Sequence, residues 1–164
     1  MKKRKLQVFG LIALALAGIT VFVTRGIPVS RQSDVTVNGV PIIQDVPKDA
    51  IPPLDFPQYQ TVQEAIWIKE DDIILGIDFD GDARAYPTKI LNWHEIVNEK
   101  IADREIVVTY CPLCNTAISF DRRFDGLLLD FGTTGRLRHS DLIMYDRQTE
   151  TWWQQAIGEG IVGE

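Results

Sequence analysis

The feature that most constrains this chain is its punctuation, short apolar runs broken by Asn-Gly and Asp-Gly pairs. Such pairs accept the left-handed backbone of a two-residue turn, so each marks a point where one strand hands over to an antiparallel neighbour. Ile73 to Phe79 reads as a strand, Asp80-Gly81 as a turn and Ala83 to Tyr86 as the returning strand. Thr116 to Asp121 alternates, and Asp125-Gly126 then turns the chain into Leu127 to Phe131. Val35 to Val40 forms a short arm around Asn38-Gly39, and Glu105 to Tyr110 is a further strand. Leu142 to Tyr145 and Thr151 to Trp153 pair around Arg147-Gln148-Thr149. Helical signal is brief. Thr61 with Glu64 carries a cap signature, and Thr88 to Asn98 spaces Ile90, Leu91, Ile96 and Val97 like a helix following Pro87. Hairpins outnumber crossover helices. The expectation is therefore an α+β fold, a mainly antiparallel β-sheet with one or two short helices, rather than a doubly wound sheet.

Before that body stands a different text. Lys2-Lys3-Arg4-Lys5 precedes the eighteen charge-free residues Leu6 to Val23, long enough to span a hydrocarbon core as an N-terminal transmembrane helix. The cations stay cytoplasmic, which puts the body outside, periplasmic or at the cell surface. A cleaved signal peptide ending near Ala15-Leu16-Ala17 is the competing reading, and a buried helix of a cytoplasmic protein the third. The run continuing through Ile19, Val21, Phe22 and Val23 favours an uncleaved anchor. Residues 1–25 are thus anchor or signal, 26–60 a Pro-rich tether and entry segment, and 61–164 the globular domain. The chain carries −6 overall, yet beyond residue 25 it holds 12 cations against 23 acids. An acidic body of that kind repels phosphate backbones, so no nucleic-acid partner is expected.

Only two cysteines occur, as Cys111-Pro112-Leu113-Cys114, too few to staple a small scaffold. Two thiols at this spacing can close a ring, trade electrons with a dithiol partner protein, or grip one soft metal ion. A thioredoxin arrangement would want a helix directly after the second thiol, whereas Asn115 to Phe120 alternates like a strand. That argues against a thioredoxin fold and leaves redox chemistry open. A strand, two cysteines and then Asn115, tolerant of left-handed backbone, also describes a metal knuckle for copper or zinc. An inert disulfide is the bland alternative in an oxidising compartment, although so small a ring restrains the unfolded chain little.

The chain's histidines are His94 and His139. His94, on the expected helix, is a metal-ligand or proton-relay candidate, balanced by a buried ring satisfied by a backbone carbonyl. Glu95 points about 100° away from it on a helix. Arg136 and Arg138 would share a face and hold an anion, or sit on a solvated edge. His139-Ser140-Asp141 contains triad residue types, but consecutive residues cannot align as nucleophile, base and orienter, so a hydrolase is rejected. Asp78 to Asp82 lacks a calcium loop's spacing, with Lys89 where a bidentate glutamate is needed. Trp67, Trp93, Trp152 and Trp153 read as packing, with Trp153-Gln154-Gln155 able to line a pocket.

Several blocks together resemble a bacterial family of unknown function, the DUF3179 domain. They are Asp82 to Pro87 running into Leu91-Asn92-Trp93-His94-Glu95-Ile96-Val97-Asn98; Thr109 to Thr116 with Phe120-Asp121-Arg122; and Leu137 to Arg147 with Trp153-Gln154-Gln155. Pro47 to Pro53 fits the family's entry segment, so the resemblance covers roughly residues 45–164. It implies an N-terminal signal or anchor, and relatives with selenocysteine in the thiol motif point to redox work. Asn115 stands where the family pattern has Gly, and His139 where it has Asn, which weakens a two-histidine metal site. Family domains run on past this chain's end, so a fragment is expected.

The expected function is a membrane-tethered, extracytoplasmic thiol–disulfide oxidoreductase. Cys111 attacks, Cys114 resolves, His94 tunes the thiolate and Arg138 stabilises it. The alternatives are a copper- or zinc-binding module through Cys111, Cys114 and His94, and a non-catalytic surface interaction domain.

Overall fold

The computed structural model describes residues 33–163. Strands β1 (Val35–Val37), β2 (Val40–Gln44), β10 (Phe131–Arg138), β11 (Asp141–Asp146), β12 (Trp152–Gln154) and β13 (Glu159–Val162) form one sheet in the order β1-β2-β10-β11-β12-β13. Strands β5 (Ile96–Ile101), β6 (Arg104–Cys111) and β7 (Thr116–Asp121) form a second. β3 (Ile74–Phe79) with β4 (Asp82–Pro87), and β8 (Arg123–Phe124) with β9 (Leu127–Leu128), are separate hairpins. Every strand pairing is antiparallel. With the short helix α1 (Thr88–His94), the fold is the expected mainly antiparallel α+β arrangement.

The middle sheet explains the rest. Along β6, Ile106, Val108 and Tyr110 face a core made with Tyr86, Leu91, Val97 and Ile101. The intervening Val107 and Cys111 face a second core with Ile96, Leu129, Phe131, Leu142 and Met144. The period-two alternation of a strand splits its side chains between two apolar layers, each fully buried side chain contributing about 1.5–3 kcal/mol. Both faces of β5 are covered too, which is why its sequence shows no alternation. The helix expected to run to Asn98 therefore stops at His94. Glu95 still donates its N–H to Leu91 O at 2.7 Å but adopts φ 59°, and Ile96 and Val97 then diverge into opposite cores.

At Thr61 the cap bonds form without a helix. Glu64 accepts from Thr61 N at 2.9 Å and Oγ1 at 2.8 Å, and the segment closes as a turn. The transmembrane helix expected over Leu6 to Val23 lies outside the described residues; among those described, no helix is long and apolar enough to cross a membrane.

The segment 33–60 is fastened along the domain. β2 pairs with β10 through Gln44 and Ile43, and Leu54 bridges Val97 in parallel. Asp45 and Val46 both donate to Gly135 O, at a bulge in β10 where an added Cβ would meet Val46 O at 2.0 Å. Only glycine fits that approach.

Asn98, buried at 2% exposure, joins the two sheets. Its Nδ2 donates to Phe131 O at 2.7 Å and its Oδ1 accepts from Phe131 N at 2.9 Å. Truncation leaves a buried donor and a buried acceptor without partners, each costing about 1–3 kcal/mol. Asn98→Ala is expected to lower unfolding free energy by about 3 kcal/mol in urea titration, while exposed Lys100→Ala on the same strand changes it by less than about 0.5 kcal/mol.

Candidate functional site

Two turns meet at one end of the molecule. β6 delivers Cys111 to the second core, and the turn Pro112–Asn115, with Asn115 at φ 51°, brings Cys114 back beside it. Opposite stands the two-residue turn between β10 and β11, His139 at φ 55° and Ser140 at φ 63°. Glycine or asparagine normally takes such positions, so this turn holds backbone strain at the site.

The turn presents two acceptors. Cys111 Sγ lies 3.6 Å from Ser140 O, and Cys114 Sγ lies 3.5 Å from Asp141 Oδ1. The other Asp141 oxygen accepts from Ala156 N at 3.0 Å, which fixes the carboxylate's orientation. Both cysteines are free thiols, and the two sulfurs and an Asp141 oxygen lie within 4.8 Å of one another. Cys111 is 1% exposed and Asp141 4%, whereas Cys114 is partly exposed. Burial pushes the Cys111 thiol up to about 12, and the Cys114 thiol adds to the rise. The backbone N–H groups of Cys114 and Leu142, directed at the Cys111 sulfur, pull the other way.

Gln155 closes the flank. It is fully buried, and its N–H donates to Leu142 O at 3.0 Å. Its Nε2 donates to Thr109 Oγ1 and to Thr116 O, both at 3.1 Å, and Thr116 is the register partner of Cys111. Its Oε1 has no hydrogen-bond partner. Flipping the amide would set that oxygen against the Thr116 carbonyl, so the orphan acceptor is a property of the fold.

Of the other expected residues, His94 sits elsewhere, while Arg138 stays at this end of the outer sheet. His94 Nδ1 lies 2.8 Å from Pro52 O, and the residue lines a cleft of about 800 Å³ with Leu54, Trp67, Tyr86 and Leu91, on the first core's side. Because a carbonyl only accepts, Nδ1 carries the proton. Beneath the cleft Glu99 accepts from Tyr59 and Tyr86, and burial with that bond raises both phenols well above their ordinary range. Arg138 is paired across the strands with Asp141; its Nη1 donates to Gln154 Oε1 at 2.5 Å and its buried Nε is unpartnered. Arg136 instead bonds Asp34 at 2.8 Å and stacks on Trp152, so the two arginines are held on different partners. The structure brings together Cys111, Cys114 and Asp141. In the sequence Asp141 stands in a rejected triad and in the Leu137 to Arg147 block, without a role of its own; the available signal was a carboxylate opening the apolar run Leu142 to Tyr145, directly after a polar turn.

Fold and site define an antiparallel α+β domain carrying a dithiol beside a buried carboxylate. The chain belongs to the family described as protein of unknown function (DUF3179), whose model matches residues 48–164 and so includes both cysteines and Asp141. No curated protein and no solved structure matches the chain.

Alkylation of the reduced, chelator-treated protein is expected to modify Cys114 first. Cys111 should stay slow through pH 9 and gain rate only as pH approaches about 12, followed by peptide mass spectrometry. A second pH effect belongs to Glu95, which burial raises from the ordinary 4.5 to about 7. The folded state holds that proton more tightly than the unfolded chain, so the stability it contributes is full below pH 4.5 and lost as pH rises through 7. Glu95→Gln should therefore stabilise the protein at pH 8 by about 2 kcal/mol, after allowance for its exposed edge, and by little at pH 4.

Proposed function

We propose that the domain is a thiol–disulfide exchange centre in which Cys114 attacks, Cys111 resolves and Asp141 accepts the thiol proton. The observation that carries this reading is the contact of a solvent-reached thiol with a buried carboxylate, 3.5 Å from Cys114 Sγ to Asp141 Oδ1. It reverses the order expected from motif position, because Cys111 is sealed in the core and only Cys114 is open to a bulky disulfide.

The chemistry balances as two exchanges. The Cys114 proton passes to Asp141 as its sulfur attacks a substrate disulfide, forming a mixed disulfide and expelling one substrate thiolate, which takes the proton from Asp141. Cys111 then attacks Cys114; the second substrate thiolate leaves and takes the Cys111 proton. The domain ends with one disulfide, the substrate with two thiols. Backbone N–H groups of Cys114 and Leu142 favour negative charge on Cys111 during the second step. Arg138, across the strands from Asp141, adds positive charge at the same end. The basic Lys2–Lys5 flank and the uncharged Leu6 to Val23 support a membrane-tethered, extracytoplasmic setting, where disulfide substrates occur.

Cys111→Ser should accumulate a mixed disulfide through Cys114, recovered by mass spectrometry, and Cys114→Ser should accumulate none. Asp141→Asn should slow the reaction with a small aromatic disulfide by about a hundredfold near pH 7 and narrow its deficit at alkaline pH, where solvent removes the proton. Trapping through Cys111 alone, or an unchanged Asp141→Asn rate, would contradict the assignment.

A further inference from the structure

We propose that the reduced Cys111–Cys114 pair and Asp141 form a zinc site, a three-ligand centre whose fourth position is open. The inference rests on the reduced state of the exchange reading and adds its regulation: zinc occupies the thiols that exchange needs, and the disulfide cannot hold zinc.

The geometry points to zinc on several counts. Zinc–sulfur and zinc–carboxylate bonds of about 2.3 and 2.1 Å at a tetrahedral angle put sulfur and oxygen about 3.6 Å apart. Cys114 Sγ and Asp141 Oδ1 already stand at 3.5 Å. The third donor lies within 4.8 Å of both, so closing the site needs a movement of about 1 Å. A carboxylate beside two thiolates suits zinc better than Cu(I), which favours sulfur alone.

The surroundings are those of a supported ligand set. Asp141 Oδ2 is held by Ala156 N–H, leaving Oδ1 for the ion. Alongside, the buried Gln155 Oε1 lacks a donor, in a residue tied to both Leu142 and the register partner of Cys111. The site differs from the set expected from sequence, since His94 is engaged at Pro52 and is replaced by Asp141.

Binding releases the two thiol protons to solvent. When a substrate disulfide oxidises the pair, two electrons leave the sulfurs, both thiolate ligands are lost and Zn2+ is freed.

The test is a titration of the reduced, chelator-stripped full chain with Zn2+, and with Co2+ as a spectroscopic stand-in. One ion per chain is expected, with a thiolate-to-cobalt charge-transfer band and with Zn2+ protecting Cys114 from alkylation. Cys114→Ser, at a partly exposed position, should remove the band. Asp141→Asn should weaken Zn2+ binding by about tenfold or more, and His94→Ala should leave it unchanged. Absence of a thiolate–cobalt band, a band surviving Cys114→Ser, or dependence on His94 in place of Asp141 would overturn the site. A chain that exchanges disulfides but gives no band overturns the zinc inference alone; one that gives the band but no exchange overturns the exchange reading alone.

Discussion

Because β6 is covered on both faces, its alternation decides where every one of its side chains goes, and with them the chemistry. Ile106, Val108 and Tyr110 are committed to one core, Val107 and Cys111 to the other. A slip of one residue in the pairing with β5 or β7 would exchange the two sets and turn the sulfur away from Asp141. The Asn98–Phe131 hydrogen bonds hold the six-stranded sheet against this one. The relation of Cys111 on the middle sheet to Ser140 and Asp141 on the outer sheet thus rests on packing between the sheets.

At the site, two turns with left-handed residues face each other, Asn115 on one side and His139-Ser140 on the other. The second is built without glycine, in a conformation that costs about 1–3 kcal/mol at each strained residue. The arrangement aims the Ser140 carbonyl and the Asp141 carboxylate at the two sulfurs. Burial then separates the thiols: one is raised to about 12 and sealed, the other meets solvent and a proton acceptor. A dithiol so differentiated suits stepwise exchange, and the same donors suit a metal ion when reduced.

Much of the fold was legible because its hairpins carry their own signals. Asp80-Gly81 and Asp125-Gly126 turn where the glycines at φ 85° and 81° require it, and β6, β7 and β11 coincide with the expected runs within a residue or two. The failure at Ile96 has a physical cause. A short strand buried on both faces has no period, so Ile90, Leu91, Ile96 and Val97 fit a helix as well as they fit the break at Glu95. The cysteines were legible from spacing alone. Asp141 was not, because its partnership with Cys114 crosses 27 positions and depends on two sheets packing together. His94 sits on the helix whose Leu91 packs into the opposite core, and its ring is engaged at the Pro52 carbonyl.

The reduction potential of the Cys111–Cys114 couple, measured in metal-free protein against a glutathione or dithiothreitol buffer, tests the central claim most directly. An exchange centre with one open thiol beside a carboxylate predicts a value above about −270 mV, in the range of working dithiol proteins. A value well below about −300 mV would mark an inert bridge and contradict the account.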